Sequence, residues 1–72
     1  MSTMFCLWDR DTGELLLAAQ HNLFELSVRV AADLRFTMAD YEVMVGLADD
    51  IEAPDDWAYR VTQHTVTPDG AA

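Results

Sequence analysis

The residues best able to do chemistry in this chain are carboxylates, and they are concentrated in one segment. Residues 37–59 contain seven Asp and Glu and no Lys or Arg. The seven acids are Asp40, Glu42, Asp49, Asp50, Glu52, Asp55 and Asp56. Carboxylates accept charge-assisted hydrogen bonds from Arg and Lys, and the contacts with Arg can be bidentate. The segment is therefore a candidate surface for a basic partner protein.

The position of three of these acids favours binding over plain solvation. Asp49, Asp50 and Glu52 fall where the sequence predicts a helix C-terminus, and an exposed anion there is unfavourable by about 0.3–1 kcal/mol. A solvated surface needs no such arrangement, whereas a cluster that meets Arg and Lys does. We interpret the seven acids as partner-binding residues, with Trp57 as an aromatic anchor inside an acidic rim. The alternative places Trp57 and Tyr59 in the core, as part of a strand.

The charge of the whole chain agrees with a basic partner and disfavours direct nucleic-acid binding. Thirteen Asp and Glu face four Arg, there is no Lys, and the formal net charge is −9. Phosphate contacts supply most of the affinity for nucleic acids, and four dispersed bases cannot make many of them. Solubility alone calls for a net charge of roughly 2–8 in magnitude. The excess of acid is either a general solubility feature or kept for function.

Enzymatic and metal chemistry are not predicted. His21 and His64 have no metal-ligand spacing between them. Cys6 could act as a nucleophile only in an electropositive setting, and as the single cysteine it cannot form a disulfide within the chain. The acids around Gly13 lack the ligand pattern of a calcium loop and are explained by a hairpin turn. We expect no catalytic residue, no metal and no cofactor.

The hydrophobic pattern predicts three strands. Residues 4–8 and 14–19 are predicted to pair as a β-hairpin, with Gly13 at positive φ in the turn. Residues 57–66 are rich in aromatic and β-branched side chains, a composition that favours a third strand.

Two helices are predicted between these strands. Asn22 is the predicted N-cap of a helix over residues 23–36, with Glu25 as its capping-box partner. The residues expected to face the core share helical spacing: Leu23, Leu26, Val30 and Leu34. Alternating apolar residues in 24–30 also fit a strand, but the cap and the following alanines favour a helix.

The second helix is predicted over residues 38–50. Thr37 and Asp40 form its capping box, and Pro54 marks a break after it. Its expected buried stripe comprises Tyr41, Met44, Val45 and Ala48. Two short helices in succession resemble a DNA-reading unit, but the second carries acids and no base, so it would repel the DNA backbone.

Together these elements predict a single α+β domain over residues 1–72. Its order is β-β-α-α-β, with two helices packed on one face of a small antiparallel sheet made of the hairpin and the C-terminal strand. Residues 67–72 are expected to form a flexible tail. The purely apolar run of residues 15–19, which no other run exceeds, is far below the roughly 20 residues of a membrane span. We expect a cytoplasmic protein, in the host cell if a phage encodes it.

In size, charge and lack of lysine, the chain resembles the small acidic anti-CRISPR proteins of phages and mobile elements. Some of those proteins act as DNA mimics on CRISPR effector complexes. The resemblance concerns these general properties of the whole chain. No motif of that class aligns with this sequence, so no functional residue is assigned from it. It implies a partner with a basic DNA channel, such as the subunit of a type I surveillance complex that reads the short motif beside the target. The acids from Asp40 to Asp56 would then occupy the place of phosphates.

A second hypothesis belongs to another class. The chain could be a small acidic accessory or antitoxin-like module that binds one basic protein without imitating DNA. Mimicry predicts competition with DNA and a steep salt dependence, whereas a plain adaptor predicts a mainly apolar interface around Trp57. The sequence leaves the identity of the partner and the oligomeric state open.

Overall fold

The computed structural model describes residues 2–66, and the tail predicted for residues 67–72 lies outside the described residues. Five elements follow one another: β1 (Ser2–Asp9), β2 (Leu15–Gln20), α1 (Leu23–Ala32), α2 (Met38–Ala48) and β3 (Tyr59–Val66). This order confirms the predicted β-β-α-α-β arrangement. No helix in the described part of the chain is both long enough and apolar enough to cross a membrane.

The three strands form one antiparallel sheet with β1 at its centre, in the order β2-β1-β3. The β1–β2 turn contains Gly13 at φ 75°, as predicted. The Asp9 carboxylate fixes the turn by accepting the backbone N–H groups of Asp11 at 2.8 Å and Thr12 at 3.0 Å. The bond from Thr12, and then that from Asp11, lowers the pKa of Asp9 below its ordinary value.

The core lies between one face of this sheet and the helices. α1 packs against β2 and β1, and α2 packs on α1. The buried apolar side chains come from every layer: Leu7, Ala19, Leu26, Val30, Met44 and Trp57. Because β1 alternates, Leu7 points into this core while Cys6, also buried, belongs to the opposite face of the sheet.

α1 begins as predicted but ends four residues early. The Asn22 side chain accepts the backbone N–H of Glu25 at 2.8 Å, which confirms the N-cap. The Glu25 side chain does not complete a capping box, since it lies 3.7 Å from Arg29 and the Asn22 N–H donates to the Gln20 carbonyl. Residues 24–30 lie within this helix, so the helix prediction is confirmed over the alternative of a strand.

A local turn stops α1 at Ala32. Asp33 has extended backbone angles, φ −104° and ψ 121°, and its carboxylate accepts both the backbone N–H and the guanidinium of Arg35. These bonds from Arg35 also lower the pKa of Asp33. Leu34 is fully exposed, so its prediction as a core residue was wrong: the turn carries it away from the stripe that Leu26 and Val30 bury.

α2 has the predicted capping box and a shorter C-terminal end. The Asp40 carboxylate accepts the Thr37 N–H at 2.9 Å, and the Thr37 hydroxyl accepts the Asp40 N–H at 3.2 Å. The helix ends at Ala48, which is exposed. The predicted burial of Ala48 was wrong because Leu47, a larger side chain three residues after Met44, packs against the core in its place.

β3 begins at Tyr59, two residues later than predicted. Trp57 precedes it in a turn closed by the bond from the Trp57 N–H to the Pro54 carbonyl, at 3.1 Å. Tyr59 packs edge-to-face against Trp57 and Phe36, with ring centroids 5.6 and 5.1 Å apart. This aromatic cluster attaches the loop before β3 to the core.

Candidate functional site

Six of the seven predicted acids lie on the outside of α2 and of the loop that follows it. These six exposed residues, called the acidic surface below, are Glu42, Asp49, Asp50, Glu52, Asp55 and Asp56. Within residues 2–66, the two ion pairs present, Arg29–Glu25 and Arg35–Asp33, involve none of them. The carboxylates of the acidic surface are thus solvated and accessible to a cationic partner.

The backbone that carries these acids is fixed at the end of α2. The Asp50 N–H donates to the Leu47 carbonyl at 3.2 Å and the Ile51 N–H to the Gly46 carbonyl at 2.8 Å. This pair of bonds is a Schellman motif. It places Asp50 at φ 63°, in the left-handed region where glycine is preferred.

Replacing Asp50 with Gly is expected to raise the free energy of unfolding by about 1 kcal/mol. The change removes the cost of a side chain in the left-handed conformation and an anion at the negative end of the helix dipole. Thermal or urea denaturation measures it. Asp49→Gly is the matched control: Asp49 has φ −100°, so glycine there should give no such gain. Equal effects at the two positions would contradict the role given to the left-handed backbone.

The loop after α2 is held by an arginine that binds backbone rather than acid side chains. Arg10 donates from Nη1 to the Asp55 carbonyl and, at 3.3 Å, to the Trp57 carbonyl. The Arg10 N–H also donates to the Ala58 carbonyl at 3.0 Å. The hairpin therefore fixes the loop while leaving the Asp55 and Asp56 carboxylates exposed.

Asp40, the seventh predicted acid, has an intramolecular role. It is half-buried, and its Oδ1 accepts the indole N–H of Trp57 at 3.1 Å while its Oδ2 accepts the Thr37 N–H. Both carboxylate oxygens are thus bonded within the chain. Asp40 joins the start of α2 to the loop before β3, and we do not keep it in the acidic surface.

Trp57, the predicted anchor, lies in the core. Only 9% of its surface is exposed, and its polar N–H is bonded to Asp40. Little of the side chain is left for a partner to contact. The structure favours the alternative reading, in which Trp57 is a core residue, although it lies just before β3 and not within it.

An apolar groove that sequence reasoning missed lies among the acids. Its lining consists of Ala39, Val43, Gly46, Ile51 and Pro54, together with Glu42 and Glu52, and its volume is about 370 Å³. Ile51 is 63% exposed. The signal in the sequence was that α2 carries apolar residues on all sides, more than one buried stripe requires. An apolar centre with carboxylates at its rim is the arrangement that had been expected around Trp57.

The histidine, cysteine and tyrosine side chains described below do not come together in a common site. His64 shares a 2.7 Å hydrogen bond with the Thr62 hydroxyl, His21 lies in a turn at φ 79° and Cys6 is buried. Burial, and then the carboxylates of Asp40 and Asp9, raise the pKa of Tyr59, so its phenol stays neutral. No group of three or more potential metal ligands lies together within residues 2–66.

The acidic surface and its groove are therefore features of charge and shape, carried by α2 and the loop after it. They give exposed anions beside an apolar depression, a combination that suits contact with a cationic protein surface. A scan against protein-family models gives no match to this chain, and searches of curated proteins and of solved structures give none either.

Proposed function

We propose that the protein is an acidic inhibitor that binds a basic nucleic-acid-binding protein and blocks its DNA site by charge mimicry. The observation that carries the proposal is the acidic surface: six exposed carboxylates on α2 and the following loop, none of which forms an ion pair with another described residue. A surface that held its own counterions would have to break those pairs on binding. This one offers its carboxylates directly to Arg and Lys.

Rigidity supports inhibition by occupancy. α2 is capped at both ends, and Arg10 fixes the loop through three backbone carbonyls. A preorganised set of anions loses little conformational entropy on binding, so more of the interaction energy appears as affinity. Such a surface can compete with DNA for an Arg-lined channel without chemistry of its own, and the proposal includes no catalytic step.

The resemblance to small acidic anti-CRISPR proteins supports a concrete form of this proposal. In that form the chain is encoded by a phage or mobile element and acts in the cytoplasm of the host. Its partner is the subunit of a type I surveillance complex that reads the short motif beside the target. The acidic surface then lies where the phosphates of duplex DNA would lie.

The test is competition between the protein and DNA on a purified type I surveillance complex. Labelled target duplex is titrated with the protein at low and at physiological ionic strength. We expect displacement of the duplex, with an affinity that falls steeply with salt because exposed charges are screened over about 8–10 Å. Unchanged DNA binding at saturating protein, or an affinity that salt does not alter, would contradict mimicry.

One observation favours the second candidate, a protein-binding adaptor that does not imitate DNA. The groove of Ala39, Val43, Gly46 and Ile51 offers an apolar contact that phosphates do not have. The same assay separates the two functions. An adaptor adds to the partner–DNA complex and forms a ternary species that migrates more slowly, whereas a mimic releases the DNA.

A further inference from the structure

A pocket opens among β3, the end of α2 and the loop between them, where the helices leave the sheet uncovered. α1 packs on β2 and β1, whereas in the described part of the chain no Cα atom of either helix lies within 8 Å of a Cα atom of β3. The resulting gap, called the arginine pocket below, has a volume of about 360 Å³. Its walls are apolar and aromatic, and two arginines line it as well: Leu47, Trp57, Tyr59, Val61, Arg10 and Arg60. A small apolar pocket with a few convergent polar groups is the usual form of a ligand site.

The two arginines of this pocket carry charges that the described chain does not neutralise. The other two arginines of the sequence each form an ion pair with a carboxylate, but Arg10 and Arg60 form none with any residue in 2–66. Arg10 donates to the carbonyls of Asp55 and Trp57, which are neutral, and Arg60 is exposed. In a chain with a net charge of −9, both arginines that lack a described carboxylate partner therefore line the same pocket.

The pairing of β1 with β3 brings these arginines together. Arg60 lies opposite Trp8, and Arg10 follows β1 two residues later, where its backbone N–H donates to the Ala58 carbonyl at 3.0 Å. β3 itself contains no Asp or Glu. The described side-chain bonds of Arg10 use Nη1 alone, and a guanidinium has five N–H donors. Arg10 is thus held in place with its Nε and Nη2 donors available to a ligand.

We propose that the arginine pocket binds a small carboxylate with an apolar or aromatic body. The occupant follows from complementarity: the walls of Leu47, Trp57 and Val61 favour an apolar body, and the guanidiniums of Arg10 and Arg60 favour an anion and disfavour a cation. A carboxylate carries one negative charge, so the acidic chain repels it less than it would repel a phosphate dianion. The proposal does not depend on the acidic surface or on any protein partner.

One carboxylate at the pocket opposes this ligand. Asp55 lines the arginine pocket and forms an ion pair with neither arginine, so its charge acts on the ligand as repulsion. Asp55→Asn is therefore expected to tighten binding of the small carboxylate about threefold. Because Asp55 also belongs to the acidic surface, the same change should weaken binding to a basic partner. The opposite signs keep this proposal apart from the proposed function.

A titration of the isotope-labelled full chain followed by NMR tests the pocket, with phenylpropionate as the probe. For a ligand of about eleven non-hydrogen atoms we expect a dissociation constant on the order of 1 mM. The shifted backbone signals should be those of Leu47 and of residues 53–61. Phenylpropionamide keeps the ring and lacks the charge, whereas acetate keeps the charge and lacks the ring. Each should bind at least about tenfold more weakly than the probe, because each makes only half of the contacts.

Arg60→Gln and Arg29→Gln are the matched variants for this titration. Both remove one positive charge from an exposed arginine, but Arg29 lies on α1, outside the arginine pocket. Arg60→Gln should weaken binding of phenylpropionate about fivefold or more, and Arg29→Gln less than about twofold. The dispersion of the spectrum without probe shows that each variant is folded.

Three results would overturn the proposal. One is the absence of shifts at residues 53–61 at about ten times the expected dissociation constant. Another is equal binding of phenylpropionate and phenylpropionamide, which would mean that the arginines recognise no charge. The third is an equal effect of Arg60→Gln and Arg29→Gln; if Arg60→Gln then weakened binding to a protein partner instead, Arg60 would belong to a protein interface and not to a small-molecule site.

Discussion

Replacing Asp49, Asp50 and Glu52 with Asn, Asn and Gln is expected to abolish binding to the basic partner and leave the fold intact. All three side chains are exposed and belong to the acidic surface. Each amide keeps the shape of the side chain and removes its charge. A partner Arg or Lys that stays buried without its carboxylate costs about 2–5 kcal/mol. Removing one such ion pair would therefore weaken binding by well over tenfold.

The same triple variant should be as stable as the wild-type protein or slightly more stable. Anions at the C-terminal end of a helix are unfavourable by about 0.3–1 kcal/mol each. Asn also tolerates the left-handed conformation that Asp50 adopts, at φ 63°. Thermal melts and binding isotherms measured on the same preparations keep these two effects apart.

A control variant with the same net charge as the triple variant shows whether the position of the removed carboxylates matters for binding. Asp11→Asn, Glu14→Gln and Glu25→Gln remove three charges from the hairpin turn and from α1, at residues that do not belong to the acidic surface. This control should retain most of the binding, with a reduction that only reflects weaker long-range attraction. Full binding by the Asp49–Asp50–Glu52 variant would show that these acids are only solvated, and an early melt would show that they are structural.

The parts of the fold that were predictable from sequence are those fixed by near neighbours. The Thr37–Asp40 capping box, the Asn22 cap and the positive φ of Gly13 each depend on residues within a few positions, and all three are present. The order of the five elements was also predictable, because the periodicity of apolar residues and the Gly and Pro residues that interrupt it are local signals.

The predictions that failed depended on a local turn that competes with the helix and on packing between the helices. α1 stops at Ala32 because Asp33 and Arg35 bind each other, and Arg35 also reaches the Leu16 carbonyl on β2 at 3.4 Å. Helical spacing alone could not show that this turn would carry Leu34 into solvent. Ala48 was misassigned for a similar reason, since only the packing of α2 on α1 decides that Leu47 takes the core position.

Only part of the candidate site could be predicted from the sequence. Clustering of acids in residues 37–59 indicated the acidic surface, because exposure of carboxylates is the default. The capping role of Asp40 was predicted, but its bond to the Trp57 indole was not, since the two residues are seventeen positions apart. The apolar residues on all sides of α2 were a signal for the groove, but its shape also depends on Ile51 folding back over Gly46, which follows from the Schellman turn at a non-glycine residue.

Replacing Asp40 with Ala is expected to lower the free energy of unfolding by about 2–4 kcal/mol. The change removes the acceptor of the Thr37 N–H and so half of the capping box, at the lower end of the about 0.5–2 kcal/mol that a helix cap contributes. It also leaves the buried indole N–H of Trp57 without its partner, at about 1–3 kcal/mol. A chain of this length has a total stability of only about 4–10 kcal/mol, so the variant should be partly unfolded at modest temperature.

Glu42→Ala is the matched control for this prediction, because Glu42 lies two residues away on α2, is exposed and loses the same charge. Its stability should change by less than about 0.5 kcal/mol. Asp40→Asn should fall between the two, since one amide oxygen can serve only one of the two N–H donors. Urea denaturation followed by tryptophan fluorescence gives all three values. If Asp40→Ala instead unfolds like the wild-type protein and loses partner binding, Asp40 belongs to the partner surface, as its sequence position had suggested.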